Sequence, residues 1–134
     1  MSAQLPDRIR AAMDSGVPAL LGTCSKDGIP NAAVLSRVYW VDAAHVALSF
    51  QFFNKTKRNV SENPRACLLV NDIERLETWV LQLEFDHSET EGPIFDEMDM
   101  QIEAIASATG MSGIFKLRAA DVYRVLSHEM IPAR

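Results

Sequence analysis

The segment from Asn54 to Arg58 is the sharpest grouping in this sequence of residue types suited to chemistry. It reads NKTKR and follows a run of alternating apolar residues, so we expect a strand that leads into a short helix capped by Asn54. Lys55, Thr56 and Lys57 would lie in the first helical turn with Arg58. Cations there oppose the helix dipole, whereas an anion is stabilised by the dipole and by unpaired N–H groups. The pattern predicts a phosphate site, with a solvated basic helix face as the alternative.

The other reactive residue types are scattered. His45, His87 and His128 are far apart in sequence and lack metal-ligand spacing, so no metal site is expected. Cys24 and Cys67 each lie in an apolar, strand-like run, and the N-terminus lacks the apolar centre of a secretory signal. We therefore expect free thiols and a cytoplasmic location. No glycine-rich nucleotide loop or serine-hydrolase motif is present, and no catalytic side chain is identified.

Length and composition limit the class of protein. The chain has 134 residues, 48% of them hydrophobic, which is typical of a single globular domain spanning 1–134. Its formal net charge of −5 argues against a nucleic-acid partner, and no apolar run approaches the roughly 18–20 residues of a membrane span. Between Leu76 and Phe115 there are nine acidic residues and no Lys or Arg. The basic start of the short helix is therefore a local feature of an acidic protein.

Hydrophobic periodicity predicts six strands and three helices. An Asp27-Gly28 turn between apolar runs indicates a β-hairpin, and the period changes to that of a helix from Gly92. Many strands joined by short turns favour a mainly β, antiparallel barrel with peripheral helices. The expected helices cover 4–14, 55–62 and about 92–109, and the expected strands cover 18–25, 31–41, 45–52, 65–72, 75–85 and about 122–126.

Two stretches carry a resemblance to a known family. The run HVALSFQF followed by NKTKRNVSENPRACLLV, and the later run EGPIFDEMDMQIEAIASATGMSGIFKLRAADVYRV, resemble the pyridoxamine 5'-phosphate oxidase-like, FMN-binding split-barrel family. The resemblance extends from about Val17 to Val125. It implies a six-stranded antiparallel split barrel that forms a homodimer, with FMN bound in two clefts between the subunits.

The resemblance also implies which residues bind FMN. The family's phosphate-binding residues fall at the start of the short helix, where Lys55 and Thr56 match, and Lys57 and Arg58 lie close by. Thr56 replaces a basic residue there. Thr78 matches a polar residue that reaches the flavin from the other subunit. Ser36, Arg37, Val38 and Tyr39 match the segment that lines the flavin ring, largely through backbone groups. Ser49 matches a hydroxyl-bearing position near the flavin phosphate, and Gln51 is assigned from its proximity to it.

The function implied is that of an FMN-dependent oxidoreductase acting on an unknown small molecule. The alternatives are a non-catalytic flavin-binding sensor or carrier, and a split barrel that binds a deazaflavin or haem instead. True pyridoxamine phosphate oxidases end in an Arg- and His-containing segment that holds pyridoxal phosphate. This sequence ends in YRVLSHEMIPAR, in which His128 and Arg134 do not match that segment, so we expect a different substrate.

A dimer is also expected from the supply of large side chains. A small barrel leaves strand edges exposed, and its interior holds few bulky residues. Some of the following are therefore expected to be buried between subunits: Val38, Tyr39, Trp40, Phe50, Phe52, Phe53 and Trp79.

Overall fold

The computed structural model describes residues 4–14, 17–35, 37–50, 55–108, 110 and 116–132. In this part of the chain, three helices alternate with strands that form one sheet. The helices are α1 (Asp7–Met13), α2 (Lys55–Glu62) and α3 (Pro93–Ala108). The strands are β1 (Ala19–Cys24), β2 (Pro30–Leu35), β3 (Val38–Asp42), β4 (His45–Phe50), β5 (Arg65–Asp72), β6 (Glu77–Glu89) and β7 (Ala119–Pro132).

The strands are ordered β2-β1-β5-β6-β7-β4-β3, and every neighbouring pair is antiparallel. This confirms the mainly β, antiparallel fold class. The prediction of six strands was wrong by one, because the stretch expected as a single strand over 31–41 forms β2 and β3. These two strands pair with β1 and β4 respectively and lie at opposite edges of the sheet. One straight strand could not lie at both edges.

The main core lies inside the curled sheet. Leu21 of β1, Val46 of β4 and Leu81 of β6 are almost completely buried in the same cluster, although β1 and β4 are separated by three strands in the sheet order. Helix α1 closes the cluster with Ile9 and Met13, and it packs against both β5 and β3. A sheet whose distant strands share one core must curl around it, as in a split barrel.

Helices α2 and α3 cover the outside of the barrel. Met98 and Ile102 of α3 pack on Ala47 of β4 and Val122 of β7, so both faces of these two strands are buried. Helix α2 packs against β1 and β2, whose hairpin turn contains Gly28 at a φ of 87°. The predicted Asp27-Gly28 hairpin is thus confirmed. In the part of the chain described, no helix combines the length and apolar character needed to cross a membrane.

Candidate functional site

Two buried residues attach α2 to the barrel and orient its basic first turn. Nδ2 of Asn59 donates a 3.1 Å hydrogen bond to Oγ1 of Thr23 on β1, and Val60 packs in the core. Since these residues fill the inner face of the helix, Lys55 and Arg58 lie on the exposed side. Among the residues that the structure describes, neither forms an ion pair. The start of α2 therefore presents two available cations to solvent.

Thr56 lies beside them and is half-buried against β2. Its Oγ1 accepts a 3.3 Å hydrogen bond from Nδ2 of Asn31. The contact uses an oxygen lone pair and leaves the hydroxyl proton for a further acceptor. Thr56 can therefore donate to an anion at the helix start while Asn31 holds its oxygen. The predicted N-cap, Asn54, lies outside the described residues.

Lys57 differs from the cations on either side of it. Its Nζ lies 2.8 Å from Oδ1 of Asp121 on β7 and donates to Oγ of Ser88 on β6 at 2.6 Å. Asp121 is only 6% exposed and the Lys57 side chain 26%, so the ion pair is largely shielded from solvent. The structure thus places Lys57 in an internal ion pair, and the candidate anion site consists of Lys55, Thr56 and Arg58.

Three of the predicted flavin-lining residues lie together beneath α3, one just before β3, one on β3 and one on β4. Arg37, Tyr39 and Ser49 line a cavity of about 10 Å³ that is closed by Met98, Gln101 and Ile102 of α3. This volume holds about one water molecule. No ring system fits between these side chains and α3 in this arrangement. Burial, with help from the nearby Glu97 carboxylate, raises the pKa of the Tyr39 phenol above its ordinary value.

Val38, another residue implied to line the flavin, points its side chain into the core. Its side chain is 3% exposed and belongs to the core, opposite Leu48 of β4. Because β3 is an edge strand, one side of its backbone is not paired with another strand of the described sheet. The implied role through backbone groups is therefore geometrically open to Val38. Ser36 and Gln51 lie outside the described residues.

Thr78 lies at the opposite end of β6 from the helix start. Its Oγ1 donates a 2.8 Å hydrogen bond to Oδ1 of Asn71, and it lines a hollow of about 400 Å³ at the β5–β6 turn. Thr78 lies ten positions along β6 from Ser88, the strand residue that contacts Lys57. At roughly 3.3 Å per residue this is a path of about 30 Å along the strand. One chain therefore does not bring Thr78 to the first turn of α2.

Some contacts at the site were not expected from the sequence. Asp121 had a recognisable signal, because it is the only charged residue in the run AADVY that precedes Arg124, and a buried carboxylate requires a partner. Ser88 and Asn31 are ordinary polar strand residues, and no local pattern distinguishes them. Among the described residues, no group of three or more His, Cys, Asp or Glu is arranged to hold a metal ion, and both cysteines are unpaired.

The sequence of this chain is similar to those of known proteins. The sequence model of the family described as "Pyridoxamine 5'-phosphate oxidase" matches residues 5–125. An uncharacterized protein of Methanocaldococcus jannaschii is 40% identical over 50 residues, which cover 36% of this chain and 34% of that protein. The chain thus aligns with about a third of the length of that relative.

Several solved structures share the fold. The crystal structure of an FMN-binding protein from Syntrophomonas wolfei superposes with a TM-score of 0.80 at 15% identity, covering 96% of this chain and 86% of that one. An F420 reductase gives a TM-score of 0.65 at 13% identity, with 90% and 94% covered. HutZ, the heme storage protein from Vibrio cholerae, gives 0.62 at 13% identity, with 97% and 95% covered. At these identities, the likeness establishes the fold.

Proposed function

The chain belongs to the pyridoxamine 5'-phosphate oxidase family, and from this membership we propose that it is an FMN-dependent oxidoreductase. In this proposal the protein acts on a small molecule, forms a homodimer and is located in the cytoplasm. Its two unpaired cysteines agree with a reducing compartment. In this proposal the FMN phosphate binds at the first turn of α2.

The observation that carries the proposal is the pair of available cations on a firmly attached helix start. Lys55 and Arg58 are three residues apart and therefore share one face of α2. Together with the hydroxyl proton of Thr56, they form a donor set suited to a phosphate dianion through charge-assisted hydrogen bonds. The helix dipole adds to this attraction. In this proposal Lys57 is not part of the donor set, because its ammonium group is paired with Asp121.

The flavin ring is proposed to lie along the open edge of β3. Backbone groups of Val38 and Tyr39 would orient it there, since the cavity beneath α3 is too small for it. Arg37 and Ser49 would approach it from the adjoining strand ends. When bound, FMN supplies hydride or two-electron transfer, and the protein binds and orients it. This division of work requires no acid or base side chain for the hydride transfer.

A second copy of the chain is proposed to supply Thr78. Within one chain, the path of about 30 Å along β6 separates Thr78 from the phosphate site. The hollow beside Thr78 has an exposed apolar rim, in which Ile73 and Leu76 are both 64% exposed and Ile131 is 42% exposed. Apolar side chains of this size are typical of a surface that packs against a partner. The large residues Val38 and Trp79, by contrast, are buried within their own chain.

Two alternatives compete with the proposed function. An F420 reductase and a heme storage protein have this fold, so a deazaflavin and haem are competing cofactors. A non-catalytic flavin-binding sensor or carrier is the other alternative, since the same phosphate site would also hold the cofactor in a protein that does not turn over a substrate.

The test is an absorbance and fluorescence titration of the purified protein with FMN, F420 and haem. We expect FMN to bind with the highest affinity and Lys55→Ala to weaken it about tenfold or more, because a charge-assisted contact is lost. Lys26→Ala is the matched control, since Lys26 is an exposed lysine in the β1–β2 turn. Binding of F420 or haem in preference to FMN, or equal effects of the two substitutions, would reject the proposed site.

A second assay separates enzyme from carrier. The FMN-loaded protein is mixed anaerobically with NADH or NADPH, and the decrease of flavin absorbance is followed. An oxidoreductase is expected to reduce its flavin much faster than free FMN is reduced under the same conditions. Reduction no faster than that of free FMN by either donor would favour the sensor or carrier.

A further inference from the structure

Lys57, Ser88 and Asp121 form a closed triangle of hydrogen bonds beside the candidate phosphate site. Nζ of Lys57 donates to Oδ1 of Asp121 at 2.8 Å and to Oγ of Ser88 at 2.6 Å. Oγ of Ser88 in turn donates to the same Asp121 oxygen at 2.7 Å. The ammonium group also lies 5.2 Å from the ring centre of Phe85. Lys57 is therefore surrounded by groups of its own chain.

This triangle attaches α2 to a second part of the sheet. The contacts of Asn59 with Thr23 and of Thr56 with Asn31 bind the helix to β1 and β2. The triangle binds its first turn to β6 and β7, on the other side of β5 in the sheet order. An ion pair to a carboxylate that is 6% exposed is difficult to exchange for water, because the unpaired charge would remain buried.

We propose that the Lys57–Asp121 pair positions the first turn of α2 for the cofactor phosphate. This inference rests on the proposed function and extends it to residues that do not touch the cofactor. Lys57 and Asp121 are positioning residues: they hold the backbone N–H groups, Lys55 and Arg58 in the orientation that receives a phosphate. Lys57 itself makes no phosphate contact.

The experiment compares FMN with riboflavin, which has the same ring but no phosphate. Dissociation constants are measured for the wild-type protein, Asp121→Asn, Lys57→Met and Lys57→Arg. We expect Asp121→Asn and Lys57→Met to weaken FMN binding about tenfold, as expected for loss of a charge-assisted contact. Riboflavin binding is expected to change less than about twofold, and Lys57→Arg, which keeps the charge and the donors, to recover most of the FMN affinity.

Asp121→Asn separates positioning from direct contact. If Lys57 were a phosphate ligand, releasing it from Asp121 would leave FMN affinity unchanged or increase it, and that result would overturn the proposal. A parallel loss of FMN and riboflavin affinity would also overturn it, because it would indicate general damage to the fold. The matched control is Arg124→Gln, which removes another contact between β7 and β6, the 2.6 Å hydrogen bond from Arg124 to Glu84. This substitution is expected to leave the ratio of FMN affinity to riboflavin affinity unchanged.

Amide hydrogen exchange over 55–62 measures the attachment without any cofactor. The proposal expects faster exchange in this helix for Asp121→Asn, with protection elsewhere retained, and unchanged exchange would overturn it. If the wild-type protein binds neither FMN nor riboflavin, the proposed function fails together with the cofactor role of the pair. The exchange measurement then still shows whether Lys57 and Asp121 hold the helix start.

Discussion

Nε of Arg37 donates a 2.5 Å hydrogen bond to Oε1 of Gln101, which joins the residue preceding β3 to the middle of α3. The same guanidinium lies 3.2 Å from Oδ1 of Asp14, just after α1. A residue implied to line the flavin is thus held by two neighbours of its own chain. If it contacts the flavin on binding, these partners compete with the cofactor.

Gln101→Ala is therefore expected to strengthen FMN binding. Removing a competing hydrogen bond worth about 1 kcal/mol corresponds to about a fivefold lower dissociation constant. Arg37→Ala is expected to weaken FMN binding, and the pair of variants is compared by fluorescence titration. If both substitutions leave the dissociation constant unchanged, Arg37 serves only to hold α3.

Asn59→Ala is expected to destabilise the protein by about 1–3 kcal/mol, because it leaves a buried polar group of Thr23 without its partner. The free energy of unfolding is measured by urea denaturation. Ser61→Ala, on the exposed face of α2, is the control and is expected to cost less than about 0.5 kcal/mol. The double variant Thr23→Val/Asn59→Leu should lose less free energy of unfolding than the sum of the losses of the two single variants, since neither polar group remains without its partner.

Leu76→Asn is expected to have opposite effects on the fold and on the dimer. Leu76 is 64% exposed, and its backbone φ is 54°. This left-handed conformation is adopted more readily by asparagine than by leucine. The substitution should stabilise the fold by up to about 1 kcal/mol and weaken the proposed dimer. Thermal unfolding and light scattering measure the two effects. Ile73→Asn, on the same rim, is expected to weaken the dimer without the gain in stability.

Both tyrosines of the sequence, Tyr39 and Tyr123, are expected to resist ionisation in the folded protein. Burial raises the pKa of each phenol, and the carboxylates of Glu97 and Asp121 respectively add to the effect. Since the unfolded chain releases these protons near pH 10 and the folded chain does so only at higher pH, the free energy of unfolding should fall as the pH rises above about 10.

Absorbance near 295 nm provides the measurement for this prediction. Tyrosinate absorbance should appear only above the pH at which an unburied tyrosine ionises, together with alkaline unfolding. In Tyr39→Phe, the remaining absorbance change belongs to Tyr123. A folded wild-type protein that shows half of its tyrosinate signal near pH 10 would contradict the prediction.

Much of the local structure could be predicted from neighbouring residues alone. The helix over 55–62 and the strand over 65–72 have the expected bounds, because alternation, a basic polar run and the Asn63-Pro64 stop act over a few residues. In the predicted helical stripe of α3, Met98, Ile102 and Ala106 are buried as their spacing predicts, whereas Ile105 is 41% exposed. These features depend on backbone preferences and on the period of apolar residues, which any short window of the sequence contains.

The pairing of distant residues could not be predicted in this way. Lys57 lies 64 positions from Asp121, and its neutralisation depends on the order in which β6 and β7 enter the sheet. The separation of β2 from β3 likewise follows from pairing with different strands at opposite edges. The residue types already defined a basic helix start on an acidic protein. Only the tertiary structure decided which of its cations are exposed, because the partner of a charge is set by the register and topology of strands far away in the chain.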